Sequence, residues 1–437
     1  MRLVSSASLW RDGRFTRSWA GSAVSQFGDR ISELALPLIA AGVLDASADQ
    51  VAWLTALVWT PNLLALVLGA WVERRPHKRR LLIATDLVRA GVLLTVPIAH
   101  VLDALTLGHL YVVALLTGLA SVAAGCAWAP FFATLVPRSV YVEANSKFGA
   151  ARSASFVAGP ALGGGLVQTL TAPVAVAADA VSFVVSALLL RSVALDEPPP
   201  ATAARNALVR DAREGAAHIV RDPILRASLA CTTTVNFFTF ISSTGLVVLF
   251  ADRVLALSPA AIGLTMGIGA SGSLVGALAA PRLARRIGVG RGIAVGAVLF
   301  PAPIALAAAA DGPAWARAGT LGTAYFLIGL GVMLFDVNLN SLQTAVIPDA
   351  LRSRVAGAYS TVNYGVRPLG AVVGGVLATT VGLRTTLVVA AVGGTLSLLW
   401  LLPSPIPGIR ALDGDLPTAP AEPPGHVAEL RLPDQPG

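Results

Sequence analysis

Asp29, Arg30 and Glu33 lie inside an apolar run that begins near Trp19 and continues to Leu44. If the run is a helix entering a bilayer near Trp19, a rise of about 1.5 Å per residue puts Asp29 roughly 15 Å deep. At about 100° per residue, Ser22, Gln26, Asp29, Arg30 and Glu33 share one polar stripe. A charge facing lipid there costs at least about 2.5–3.5 kcal/mol, so the stripe must face protein or a wet cavity. A carboxylate withdrawn from water gains proton affinity, which suits Asp29 or Glu33 to bind and release a proton. Arg30, three residues before Glu33, can hold that carboxylate ionised, so Asp29 is the expected proton carrier. The same residues can instead form a static salt-bridge network, because intramembrane charges often pair with one another.

The elements that hold this stripe follow from composition. With 55% apolar residues, 13% charged residues and a mean hydropathy of +0.72 over 437 residues, the chain lives in lipid. A dozen apolar runs long enough to cross a bilayer centre near residues 31, 61, 91, 122, 157, 183, 238, 270, 300, 330, 365 and 392. They are continuously apolar rather than alternating, which excludes a β-barrel and predicts an all-α polytopic membrane protein of 12 transmembrane helices in two six-helix bundles.

Cations gather in the loops after the second, fourth, sixth, eighth and tenth runs, while the alternate loops hold only Arg253, Arg317 and Arg384. The positive-inside rule puts both termini in the cytoplasm, with a bacterial cytoplasmic membrane as the expected location. The net charge of +8 then reflects topology and anionic lipid rather than nucleic acid. The polar start, MRLVSSASLWRDGRFTR, does not read as a removable signal peptide. Cys126 and Cys231 fall in separate runs, and His77, His100, His109, His218 and His426 are scattered, so no metal site, disulfide framework or cofactor is expected.

The chain repeats itself at an offset close to 210 residues. LGAWVERR, with Gly69, aligns with GALAAPRLARR, with Gly276; VPRSV followed by GPALGG aligns with IPDAL followed by RPLGAVVGG. Such a duplication is expected of transporters whose substrate site lies between the halves. The expected units are residues 1–195, a six-helix bundle; 196–223, a Pro-rich linker with an amphipathic helix at the cytoplasmic surface; 224–403, a second bundle; and 404–437, a disordered tail.

The loop after the second run, G-x-x-x-E-R-x-P-x-K-R, resembles the signature of the major facilitator superfamily, with Gly69, Glu73, Arg74, Lys78 and Arg79 on the motif. Glu73 stands for the usual Asp and Pro76 for the usual Gly. The resemblance implies a cytoplasmic latch between the halves. In the fifth run, S-x-x-x-G-P-x-x-G-G resembles the antiporter motif of exporters in this superfamily, placing Gly159, Pro160, Gly163 and Gly164 on it and Ser155 where the first Gly is usual. Such a surface also serves plain helix packing. With SQFGDRISELALPL and DAVSFVVSALLL, residues from about 15 to 403 resemble the branch that includes enterobactin and macrolide exporters. GIGASG, from Gly267, imitates a nucleotide-binding pattern but follows no strand and reads as helix packing.

The resemblance implies a cavity built from the first, fourth, seventh and tenth runs. Those runs offer Gln26 and Arg30; Thr117, Ser121, Trp128 and Phe132; Thr232, Asn236, Thr239 and Ser243; and Asp336, Asn340 and Gln343. Three carboxylates against one arginine, with aromatic rings, suggest an amphiphilic and cationic substrate. Asp336 joins Asp29 and Glu33 as a proton-coupling candidate, whereas Asp86 and Arg89 are expected to support the latch. The expected function is export of a lipophilic drug, antibiotic or siderophore by proton antiport, by a monomer and without enzymatic chemistry. An importer or lysophospholipid transporter of the same fold, or a membrane sensor without transport, stays open.

Overall fold

The computed structural model describes residues 6–137, 140–195, 207–348 and 351–411, and every regular element among them is helical. The first half comprises α1 (Gly13–Gly42), α2 (Ala48–Trp59), α3 (Ala65–Glu73), α4 (Lys78–Val101), α5 (Leu107–Leu135), α6 (Tyr141–Leu170) and α7 (Ala172–Arg191). A linker helix, α8 (Ala207–Arg221), leads to the second half. That half comprises α9 (Pro223–Ile241), α10 (Thr244–Leu249), α11 (Pro259–Ile287), α12 (Val289–Leu299), α13 (Pro303–Ala308), α14 (Ala314–Val346), α15 (Arg352–Thr380) and α16 (Leu383–Thr395).

Eight helical stretches are long and apolar enough to cross a membrane. Four further legs, α1, α2 with α3, α6 and α15, complete a twelve-leg arrangement. The second leg is apolar but split into short helices, whereas α1, α6 and α15 are less apolar and carry the polar stripe, the Gly-Pro motif and Arg367.

Local chemistry sets the helix starts. Asp222 accepts the N–H groups of Ile224 and Leu225 at 2.8 and 2.9 Å, and Pro223 supplies a first residue that needs no N–H partner. Ser258 and Pro259 repeat the device at α11, where the Ser258 hydroxyl accepts from Ala261 at 3.3 Å. Three legs are broken near their middles, one of them between α12, which ends at Leu299, and α13, which begins at Pro303. After Trp59 the second leg tightens into a 3-10 turn over Thr60–Leu64 around Pro61, and α9 stops at Ile241 before α10 resumes at Thr244.

The halves meet along two seams, α6 with α11 and α2 with α15, and α10 packs on α1 and α2. Glycine makes the approach possible: a Cβ at Gly164 would lie 2.3 Å from the Pro259 carbonyl oxygen, and one at Gly263 would lie 2.2 Å from that of Pro160. Gly245 packs on Thr55 and Val51, and Gly375 on Ala52 and Asp49. Arg253 ties the same end together, donating to the Ala41 carbonyl at 3.1 Å and to Asp45 at 2.9 Å. All these contacts lie toward the face away from the linker, here called the far face.

Two expectations change. The linker helix, expected as an amphipathic helix at the cytoplasmic surface, lays its apolar face on protein: Glu214 pairs with Arg354 at 2.6 Å, and Ile219 is buried in a cluster with Leu225, Ile347 and Val355. A Cβ at Gly215 would lie 2.3 Å from the Arg354 carbonyl oxygen. Overpacking costs about 1–3 kcal/mol, so Gly215→Val is expected to release α8 and speed trypsin cleavage at Arg213 and Arg221 about tenfold; wild-type cleavage rates would contradict the docking. The start of the expected tail is also ordered, since Ile406 and Ile409 are buried and Gly290 and Val289 donate to the Ile409 and Arg410 carbonyls at 3.0 and 3.3 Å. Apolar side chains at 406 and 409 dock this stretch on α12. Residues 196–206 of the linker and 412–437 of the tail lie outside the described residues.

Candidate functional site

The α1 stripe resolves into two ion pairs. Arg89 Nη2 of α4 donates to Asp29, and the Arg89 guanidinium carbon lies 3.8 Å from the centroid of Phe183 on α7. Arg30 donates to Glu33 at 2.5 Å and lies 4.2 Å from the centroid of Phe156 on α6. Gly159 lets Arg30 settle there, because a Cβ at that position would come within 2.6 Å of the arginine stem. Gln26 turns back on its own helix, donating to the Ser22 carbonyl at 2.9 Å.

A second centre forms around Arg367 of α15. Its Nε donates to Asn236 of α9 at 3.0 Å. Three rings surround the guanidinium: Trp59 of α2 at 4.4 Å, Tyr364 at 4.4 Å and Phe240 at 4.9 Å. Trp59 belongs to the first half and the other rings to the second, so this cage joins the halves at two of the broken legs. Trp59 and Phe240 meet edge to face at 5.3 Å. Asp336 of α14 acts on Arg367 electrostatically and is itself exposed. Interrupted helices of this kind mark the binding region in many transporters.

The other expected cavity residues divide. Asn340 is exposed beside Asp336, and Gln343 lies next to Tyr359, with its Nε2 buried and unpartnered. The Tyr359 hydroxyl joins Thr232 at 2.7 Å. Thr239, Thr117 and Ser121 donate back to their own helices, to Val235, Val113 and Thr117 carbonyls. Ser243 is buried with an unpartnered hydroxyl. Trp128 and Phe132, expected on the cavity wall, pack instead with Phe131, Tyr141 and Phe148 inside the first half, with Trp128 and Phe148 centroids 5.0 Å apart. Phe148 of α6 faces them, which gives the rings a protein partner.

Arg89 and Arg367 add to Arg30, so Asp29, Glu33 and Asp336 each have an arginine near them. The expectation of a cationic substrate, drawn from three acids and one base, loses its basis. Arg89 is also reassigned: it reaches across to Asp29 instead of serving a latch.

In the loop motif, Lys78 donates to the Val72 and Arg75 carbonyls at 2.5 and 2.6 Å, capping α3, and Arg79 donates to the Val193 carbonyl beyond α7. These bonds stay within the first half. Arg74 is exposed, a Cβ at Gly69 would lie 3.9 Å from Cys126 Sγ, and the Glu73 side chain lies outside the described residues. The Gly-Pro motif of α6 faces two ways. Gly159 and Gly163 seat α1, the latter with a notional Cβ 3.1 Å from Ile31 Cα, whereas Pro160 and Gly164 seat α11. In the GIGASG stretch, Gly269 and Gly272 pack against Tyr325 and Phe326 of α14.

Asp179, Trp59 and Arg367 were not singled out from the sequence as site residues. An arginine inside an apolar run is a functional signal by the same rule that selects Asp29, and Trp59 precedes the Thr-Pro-Asn break.

Comparison with known proteins agrees with this arrangement. The Major Facilitator Superfamily profile matches residues 18–371. A bacterial homologue of the iron transporter ferroportin, solved in its inward-facing state, is similar with a TM-score of 0.73 at 18% identity, over 89% of this chain and 98% of that one. A point variant of the nucleoside transporter NupG gives 0.71 at 13% identity, over 89% and 99%. A POT family transporter in complex with 5-aminolevulinic acid gives 0.68 at 10% identity, over 90% and 96%. At these identities the likeness is one of fold. No curated protein matches the sequence.

Proposed function

Because this chain belongs to the Major Facilitator Superfamily, a family of membrane transporters, we propose that it exports a lipophilic small molecule by alternating access, driven by proton antiport. The observation that carries this reading is the pairing of intramembrane carboxylates with arginines, Asp29 with Arg89, Glu33 with Arg30 and Asp336 acted on by Arg367, in a chain whose halves meet closely at the far face. On this reading the linker face is cytoplasmic, because the arginine-rich loops gather there, and the state with the halves in contact at the far face is the inward-open one, ready to load from inside.

Each pair has a role. Asp336 and Arg367, at the junction of the broken legs, offer an acceptor and a donor to an amphiphilic substrate, with Trp59, Tyr364 and Phe240 as apolar surface. Asp29, joined to α4 through Arg89, is placed to translate a change of protonation into a shift between α1 and its neighbours. Glu33 acts on Tyr325 of the second half, so its charge senses whether the halves are together. Export is favoured over import by the Gly-Pro surface of α6, which resembles the exporters' motif. The solved neighbours are named for iron, for nucleosides and for a POT family transporter in complex with 5-aminolevulinic acid, so their substrates do not transfer.

The test is accumulation of a panel of lipophilic antibiotics and dyes in inside-out vesicles with an imposed interior-acid proton gradient. Compounds should accumulate in vesicles containing the protein and not in vesicles lacking it. Uptake seen only in right-side-out vesicles would replace export by import.

A further inference from the structure

Asp179 of α7 is 1% exposed, the most enclosed carboxylate in the first half's charge cluster. Gly28 of α1 makes room for it: a Cβ there would lie 2.2 Å from both Asp179 Oδ1 and Ser182 Oγ. Its direct partners are hydroxyls, since Ser32 of α1 and Ser182 both donate to it, the latter at 3.2 Å. Among the described residues no lysine or arginine forms an ion pair with it. The charges acting on it come from Asp29 of α1 and Arg89 of α4. Asp86, 8% exposed and one turn before Arg89, completes the set, next to Ser186 of α7 and under the same arginine. No charge from α6, which also packs on α7, is among those acting on Asp179.

Three carboxylates on three helices thus share one guanidinium. Arg89 has bonding capacity to spare, for its Nη2 serves Asp29 while its Nε is buried without a partner. Were all three acids ionised, two negative charges would remain uncompensated away from water, and such a charge costs several kcal/mol. A proton is the ligand small enough to relieve this, because Asp179 is packed against α1 through Ser32 and Gly28.

We infer that Asp179 stores the coupling proton in the inward-open state and that Arg89 exchanges between Asp29 and Asp179 as the proton moves. This rests on the proton-antiport reading above. With the proton on Asp179, Arg89 neutralises Asp29, as observed. When the Asp179 carboxyl gives up its proton, Asp29 accepts one and Arg89 turns to the Asp179 carboxylate, so neither the number of protons nor the net charge of the set changes. Asp29 is the partner open to water, with 31% of its side chain exposed. The exchange therefore connects a sealed store to the cavity and moves a bond between α1 and α7.

The test needs no substrate: infrared pH titration of the full chain in lipid nanodiscs, following the C=O band of protonated carboxyl groups. Wild type should show a titrating band that Asp179→Asn removes, and Ser32→Ala, which deletes a hydroxyl donor to the same carboxyl, should move that band's midpoint by about tenfold in proton concentration. Superimposable titrations of wild type and Asp179→Asn would overturn the assignment. If Asp179→Asn does not fold, a midpoint unmoved by Ser32→Ala overturns it instead. A band assigned to Asp179 together with transport indifferent to a proton gradient would leave the proton site standing and remove the antiport reading alone.

Discussion

Gly164→Val and Gly263→Val are expected to drive the far face open. Each added side chain begins with a Cβ only 2.3 or 2.2 Å from a backbone carbonyl of the opposite half, and neither Pro259 nor Pro160 can move without its helix. Overpacking of this kind costs about 1–3 kcal/mol, charged to the sealed state alone because the open state separates the two surfaces. A difference of about 1.4 kcal/mol is a tenfold change in population, so the seam should open in a majority of molecules if the two states begin within that range. Spin labels at Asp103→Cys and Asp311→Cys, in far-face loops of the two halves, with Cys126 and Cys231 replaced by serine, read the distance. It should lengthen in both valine variants. Gly319→Val, where a Cβ meets nothing within 4 Å, is the control. A distance distribution unchanged in properly folded Gly164→Val would mean that the seam is not what closes this face.

The charge cluster should respond unequally to loss of its two best-paired members. Arg89→Ala strands Asp29, Asp86 and Asp179 without their shared cation and removes the contact with Phe183. Breaking a buried pair in this way costs about 3–5 kcal/mol, to which loss of a desolvated cation–π contact adds up to about 2 kcal/mol. Asp29→Asn should cost roughly 1–2 kcal/mol, less than a fully buried pair, because Asp29 keeps some exposure and Arg89 retains two other acids to turn to. Thermal unfolding of the detergent-purified variants measures the difference. Equal losses in the two would show that Asp29 and Arg89 form an isolated pair, and a stable Arg89→Ala would show that the cation is dispensable.

The stripe on α1 was legible because charges inside an apolar run are costly and must face inward. Its partners were not. Arg89 is separated from Asp29 by 60 positions and follows a cation-rich loop, so its charge merged with the topogenic arginines of ERRPHKRR. Arg367 enters the sequence only within RPLGAVVGG, as one half of the repeat, although it is the centre of a cage drawn from α2, α9 and α15. Trp128 and Phe132 show the opposite error. Helical spacing puts them on one face of α5, but spacing cannot say whether that face meets the cavity or another helix, and Phe148 decides the matter. The amphipathic pattern of the linker was readable in the same way, while its docking on α15 depends on Gly215 meeting one carbonyl. The two halves were legible as a repeat, because each must bury the same kind of helix faces in the same order.

The central claim is that a proton gradient is spent in moving substrate outward. Its most direct test is to form an interior-acid gradient in inside-out vesicles, add a compound that accumulates in them, and follow the gradient with a pH-sensitive dye. Addition of the compound should dissipate the gradient in vesicles containing the protein, and not in vesicles without it. Accumulation that proceeds while the gradient stays intact would contradict proton antiport.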